Sequence, residues 1–202
     1  MRKYEQRLRA EAAEETKRRI LDAVYERLRA APAEPVSVDK VAKMAGVARS
    51  TVYLIFGSRA GLFDALSADL LQRSGYGAIL TALRNPDPRA SLRESIAAAV
   101  TMYAAHRDVL RVLHSMSQLD SEAVGGALDR LEPGHETGMR MHAERLAAQG
   151  LLRVPADEAV HLLWTLTNFD TFDLLFHGRG LAVEKVVELV VAMAERSLYV
   201  DP

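Results

Sequence analysis

Residues 37–59 read SVDKVAKMAGVARSTVYLIFGSR, and this stretch decides the fold. Ser37 suits the N-cap of a helix, and Asp39 in its first turn suits the helix dipole. Val38, Val41, Ala42 and Ala45 recur at helical spacing, which predicts one buried face. Gly46 breaks the pattern where a backbone leaving a helix needs positive φ, and Val47 is placed to plug the turn. A second helix, over about residues 49–55, presents Arg49, Ser50, Thr51 and Tyr53 from its first turns. A helix, a short glycine turn and a helix with polar donors at its start form a helix-turn-helix, whose second helix enters the major groove.

Upstream, residues 1–15 are charged and helix-permissive. They are expected to be a solvated helical extension or a frayed terminus, or else a basic arm with Arg2, Lys3, Arg7 and Arg9 meeting phosphate or a minor groove. From Thr16 a firm helix is expected, with Ile20, Ala23, Val24 and Leu28 on one face. Pro32 and Pro35 end it by Ala31. Downstream, Ser58 can cap a fourth helix over residues 59–74, striped with Leu62, Phe63, Leu66, Leu70 and Leu71.

The run Val38-Asp39-Lys40-Val41-Ala42, then Ala45-Gly46-Val47, Thr51-Val52-Tyr53, Phe56-Gly57-Ser58-Arg59 and Leu62-Phe63 resembles the DNA-binding domain of the TetR family of transcriptional regulators. The resemblance implies Tyr53 and Thr51 as groove and phosphate contacts, with Arg59 (usually a lysine there) on a phosphate. Base readout is expected from Arg49, Ser50 and Tyr53, and phosphate contact from Ser37, Thr51 and Arg59. Ala48 stands where the family usually has a capping serine, and Ile55 where a histidine is common. The expected function is that of a DNA-binding transcriptional regulator, a repressor released from an inverted-repeat operator by a small, largely apolar ligand, and the expected partners are a double-stranded operator and a second copy of the chain.

Charge supports a head that binds DNA. Residues 1–59 carry thirteen Lys/Arg against eight Asp/Glu, a formal +5, while residues 60–202 carry thirteen against nineteen, a formal −6. About half of the 202 residues are apolar, so a globular fold is expected. There is no cysteine, which excludes disulfides, zinc-thiolate sites and thiol nucleophiles. Met1-Arg2-Lys3-Tyr4 leads into a charged run, so no signal peptide is expected, and no stretch of apolar residues is long enough to cross a membrane. A cytoplasmic location follows as an expectation. No alternating strand pattern occurs. The fold class is therefore all-α, with a DNA-binding head over 1–58, a linking helix over 59–74 and a ligand-binding and dimerisation body over 75–202.

In the body, Ser91 is expected to start a helix carrying Leu92, Ile96, Ala99, Val100 and Tyr103, followed by a separate helix over 107–120. A helix over 122–149 is expected to be interrupted at Pro133-Gly134, and a long internal helix is expected over 156–177. One face of the latter reads Val160, Trp164, Thr167, Asn168, Thr171, Leu175, apolar with short hydrogen-bonding groups inserted, the general character of a small-molecule site. Tyr103, Met116, Met139 and His142 are candidate walls, and methionine suits adaptable packing. The resemblance implies a small, largely apolar inducer held by these residues with Trp164, Asn168 and Thr171. Asp170 and Asp173 are each expected to be exposed, paired or functional, because a buried unpaired carboxylate is costly, and pairing with an arginine, within the chain or across a dimer interface, is the favoured outcome.

The last helix, about 183–199, carries Val183, Val187, Val190 and Ala194 along one stripe. The resemblance makes that stripe the dimer interface, formed by the last two long helices. No catalytic residue, cofactor or metal site is expected. Glu132 and His135 have metal-helix spacing, but Pro133 and Gly134 lie between them, and no two histidines fall at i, i+4. The alternative reading is a helical protein–protein adaptor whose head no longer binds DNA. The presence of Arg49, Thr51, Tyr53 and Arg59 argues against it.

Overall fold

The computed structural model describes residues 2–32, 34, 36–73, 75–119, 128 and 132–200. Pro35, Ser74, residues 122–127 and the side chains of Arg2 and Lys3, on which expectations fell, lie outside the described residues. The chain is all-α, with helices α1 Arg2–Ala30, α2 Val38–Ala45, α3 Arg49–Phe56, α4 Arg59–Arg73, α5 Tyr76–Ala82, α6 Pro88–Leu119, α7 Glu132–Ala148, α8 Ala156–Thr167, α9 Phe169–Asp173 and α10 Val183–Leu198. A π turn, Leu174–Gly178, follows α9. Two compact units result: Met1–Leu70 with Asp108–Asp129, and Leu71–Arg107 with Arg130–Pro202.

In the first unit, Ile20, Val24 and Leu28 of α1, Val41 and Ala42 of α2, Val52 of α3 and Leu62, Phe63 and Leu66 of α4 form one buried core. Val109, Val112 and Leu113 of α6 belong to the same core, which is why this unit is not one continuous stretch of chain. The division expected at residues 58 and 74 therefore differs from the observed one at Leu70. Gly46, at φ 65° and ψ 38°, closes α2, and the Val47 amide returns to the Ala42 carbonyl at 3.0 Å, a Schellman turn. Between α1 and α2 the buried Arg27 donates to the Ala31 carbonyl at 3.0 Å and to Glu34 at 2.6 Å, and Glu34 also accepts from Lys40 at 3.0 Å. These bonds tie the end of α1 to the start of α2 across the proline-rich link.

The reversal from α3 into α4 is tight. Ser58 Oγ accepts from the Gly61 amide at 3.0 Å and so caps α4, as expected. Gly61 presses its backbone against α3, so a Cβ there would lie 2.1 Å from the Phe56 carbonyl oxygen.

In the second unit, α6 starts at Pro88, because Asp87 Oδ1 caps it by accepting from the Arg89 amide at 2.9 Å; the start expected at Ser91 is corrected. Ser91 is buried, with its hydroxyl donating to the Ala82 carbonyl at 2.8 Å. Arg145 donates to Leu83 O at 2.8 Å, to Ser91 Oγ at 3.0 Å and to Asn85 O, pinning the turn before α6. The two helices expected across residues 91–120 meet within α6 at a kink, the non-helical His106 at φ −121° and ψ 15°, directly before Arg107 where the second was expected to begin. Pro133 falls in the first turn of α7, where a missing amide is tolerated, so it begins that helix and does not interrupt it.

The long helix expected over 156–177 is broken at Asn168, whose ψ of 163° is extended. Its side chain restarts the helix by accepting from the Thr171 amide at 2.8 Å. In α10, Val186, Val190, Ala194 and Leu198 are buried in the chain's own core. Val190 and Ala194, at 1% and 0% exposure, offer no surface to a second copy, and the interface role expected of them is corrected; Val183 and Val187 are half-buried. The inward stripe shares Val190 and Ala194 with the expected one and continues through Val186 and Leu198 in place of Val183 and Val187.

Gly61→Ala should destabilise the first unit by about 1–3 kcal/mol, since the new methyl overlaps a backbone carbonyl that cannot rotate away. Urea unfolding of the variant against the parent measures it. A Gly57→Ala control, at φ 72° but in open space, separates the cost of positive φ from that of overlap.

Candidate functional site

Polar and charged side chains gather in two places, one in each unit. In the first unit, α3 turns Val52 into the core and leaves Arg49, Ser50, Tyr53 and Leu54 exposed. Thr51, Ile55 and Arg59 are half-buried. The Arg49 guanidinium meets Asp39 on α2, with Nη1 at 3.1 and 3.3 Å from the two carboxylate oxygens, and Nη2 is 3.4 Å from the Tyr53 hydroxyl. Its Cζ lies 5.5 Å from the centroid of the Tyr53 ring. The Tyr53 contact first and the Asp39 charge next push the Arg49 pKa further up, so its positive charge is permanent.

Ser37 occupies the N-cap of α2, but its side chain makes no cap bond. Ala48 leaves the start of α3 without a side-chain cap, as the sequence implied. Arg59 opens α4 with its guanidinium 5.6 Å from the Phe63 ring centroid, so a cation stands at a helix N-terminus, itself favourable to an anion. Sequence reasoning missed Leu54, which is 85% exposed, and Met44 on α2, which is 51% exposed. Leu54 follows Ser50 at i, i+4, opposite the Val52 side, and that spacing would have found it. An exposed leucine beside polar groups suits contact with a thymine methyl.

In the second unit the break at Asn168 gathers polar groups. Thr171 donates its hydroxyl to the Thr165 carbonyl at 2.6 Å, and Tyr103 donates to the Thr167 carbonyl at 3.2 Å, so carbonyls around the interruption are satisfied by side chains. The Tyr103 ring packs edge-on to Phe169 at 5.6 Å, and Phe172 stacks on Phe176 at 5.1 Å. Burial first, and the Glu132 charge second, raise the Tyr103 pKa, keeping it a neutral donor.

Thr167 Oγ1 lies 2.8 Å from the Leu163 carbonyl and 2.8 Å from His135 Nε2. A carbonyl only accepts, so the hydroxyl donates to Leu163 and accepts from His135, which places the imidazole proton on Nε2. Burial, partly offset by Glu132, lowers the His135 pKa and keeps the ring neutral. Trp164, 39% exposed, donates its indole N–H to Glu132.

Of the expected ligand residues, the structure brings Tyr103 and Met139 to Thr167, with His135, Glu132 and Trp164 joined through the same cluster. Met116 packs against the core of the first unit, and its expected place beside Trp164 is corrected. Asn168 Oδ1 accepts from the Thr171 amide and the Thr171 hydroxyl donates to the Thr165 carbonyl, so both residues take part in the helix break. His142 is fully buried with no partner for either ring nitrogen. Asp173 pairs with Arg107 at 2.6 Å, both largely buried, as the cost of an unpaired carboxylate requires. Among the described residues no cluster of metal-ligating side chains occurs, and no helix is long and apolar enough to cross a membrane.

The first unit is thus a helix-turn-helix domain with a cationic and polar face on its second helix. The family model for bacterial regulatory proteins, tetR family, matches residues 20–66, the stretch from α1 to α4. Solved structures share the whole fold. The TetR-family transcriptional regulator PfmR from Thermus thermophilus aligns with TM-score 0.67 at 21% identity over 88% of this chain and 97% of that one. A TetR transcription regulator from Haloarcula marismortui ATCC 43049 aligns with TM-score 0.74 at 16% identity over 92% and 99%. A TetR-like transcriptional regulator from Rhodococcus sp. RHA1 aligns with TM-score 0.64 at 22% identity over 90% and 94%. No curated protein matches the chain.

The buried imidazole of His142 gives a pH dependence with a definite sign. Burial first and the Arg145 cation second hold its pKa down to about 4. The unfolded chain takes up this proton as pH falls through about 6.5, whereas the folded chain does not, so the stabilising difference is full above about 6.5 and is lost toward about 4. At about 1.4 kcal/mol per pH unit, up to roughly 3 kcal/mol of stability is lost over that window. Chemical denaturation of the parent and of His142→Leu at several pH values should give a shallower slope for the variant between pH 6.5 and 4.5; equal slopes would show that His142 does not carry the effect.

Proposed function

We propose that this protein is a DNA-binding transcriptional regulator that acts as a homodimer on an inverted repeat and is released by a small, largely apolar ligand. The observation that carries the DNA-binding part is the exposed face of α3, with Arg49, Ser50, Tyr53 and Leu54 outward and Val52 fixed in the core. Base readout is assigned to Arg49, Ser50 and Tyr53, and phosphate contact to Ser37, Thr51 and Arg59. An adaptor that had abandoned DNA would have no need of a helix-turn-helix whose cations stay at the surface.

The dimer is assigned to α8, α9 and α10. Its support is the half-buried pair Val183 and Val187 at i, i+4 and the exposed Leu174, at 67%. A twofold axis would place two heads on successive major grooves. The ligand is assigned to the side of the second unit that holds Trp164, Glu132, His135, Thr167 and Tyr103. Its support is aromatic surface beside a few placed polar groups. A ligand changes DNA affinity only through its differential affinity for two conformations, and operator DNA must weaken ligand binding by the same factor. Trp164, the only tryptophan, reports that titration by fluorescence.

Arg59→Ala should weaken binding to all duplexes alike and reduce the salt slope by about one. Arg49→Ala should relax base preference instead, costing about 1–3 kcal/mol at the preferred site. Equal losses on preferred and random DNA for both variants would sink the division of roles. Val187→Glu should yield folded monomers by light scattering with at least tenfold weaker operator binding, since a lone head makes about half the contacts; a persistent dimer would place the interface elsewhere.

A further inference from the structure

Asp39 is a negative charge on the face of the head assigned to a polyanion. It is exposed, on the first turn of α2, and beyond the general benefit of an acid at a helix N-terminus its contact is with Arg49. Both its oxygens stand within 3.3 Å of Arg49 Nη1, while the Tyr53 hydroxyl and ring hold the other side of the same guanidinium. Three groups therefore fix one arginine in space, two of them from α3 and one from α2. The left-handed turn at Gly46 sets the two helices so that the third contact exists.

We infer that Asp39 is a positioning residue for sequence readout, which holds the Arg49 guanidinium toward a base edge and keeps it from serving as an unspecific phosphate contact. This rests on the reading of α3 as the DNA-contacting helix. An unrestrained arginine on a long flexible side chain reaches whichever phosphate lies nearest, and that interaction carries no sequence information. Held through Nη1 and against the Tyr53 ring, Arg49 keeps its remaining N–H groups in a fixed direction. It gains fully only from a pair of acceptors placed to match, such as guanine O6 and N7. The Asp39 charge adds a second effect of the same sign. It repels phosphate, so random duplex, bound chiefly through its backbone, is disfavoured more than a site that pairs with Arg49. The tie is a surface ion pair and is weak in the free protein, so its consequence lies in discrimination and not in fold stability.

The test is selection of binding sites from a randomised duplex pool by the full-length parent, Asp39→Asn, Asp39→Glu, Arg49→Ala and the Asp39→Asn/Arg49→Ala double variant. Affinities for the selected site and for random duplex are then measured at two salt concentrations. Asp39→Asn keeps the shape and removes the charge. It should bind random duplex about threefold or more tighter, lower the ratio of selected to random affinity roughly tenfold, and lose base preference at the same positions that Arg49→Ala loses. Asp39→Glu should recover part of that ratio. In the Arg49→Ala background, Asp39→Asn should change the ratio little, because the group it positions is gone. A parent that selects a motif together with an Asp39→Asn variant that keeps it at every position would overturn the positioning role alone. So would a loss of preference that is undiminished without Arg49. A parent that selects no motif and shows no salt-dependent binding would overturn the DNA-binding reading, and this inference with it.

Discussion

The head depends on the left-handed backbone of Gly46. A residue with a side chain would resist that conformation, and a helix that did not end there would carry Val47 past the core. Ending α2 at this point sends α3 off at an angle that buries Val52 and leaves Arg49 within reach of Asp39, ten residues earlier in the chain. The second reversal, through Gly57 and Gly61, brings the start of α4 close beneath α3, so that Arg59 opens a new helix directly after the recognition helix ends. Sequence-specific contact needs side chains held to within a fraction of an ångström, and helices packed on a shared core provide that where loops do not.

That core is not the property of the first seventy residues alone. Val109, Val112 and Leu113 complete it from α6, well beyond the end of the head's contiguous stretch at Leu70. The apolar residues around 109–116 are legible in the sequence as a helical stripe. Which core they join is not legible, because an apolar stripe carries no label for its partner. Met116 shows the consequence: residue type alone groups it with the expected pocket walls, and it packs with the head.

The helix-turn-helix is readable because its determinants are local. A cap, a glycine with positive φ, a buried row and an exposed row all lie within residues 37–59. The break in the long helix is not readable for the opposite reason. Nothing in the run from Ala156 to His177 forbids a helix, and Asn168 is only a mild helix breaker. The break exists because Tyr103, sixty-four residues earlier, supplies a hydroxyl to the Thr167 carbonyl, and Asn168 and Thr171 satisfy what remains. In α10 the difficulty is different again. Valine-rich rows run side by side, and composition cannot say which row faces the chain's own core; the buried row proves to be Val186, Val190, Ala194 and Leu198.

Tyr103 and Arg107 stand one turn apart on α6, and each grips a different side of the break, Tyr103 at Thr167 and Arg107 at Asp173. His106, the non-helical residue of α6, lies within that same turn, and the chain passes from one compact unit to the other immediately after Arg107. Magnitudes separate the two grips. Leaving one member of a buried ion pair such as Arg107–Asp173 without the other costs roughly 3–5 kcal/mol. A hydroxyl-to-carbonyl bond contributes about 1 kcal/mol net. The Tyr103 bond is therefore the weaker of the two grips, and the Arg107–Asp173 pair does more to hold the segment that follows the break.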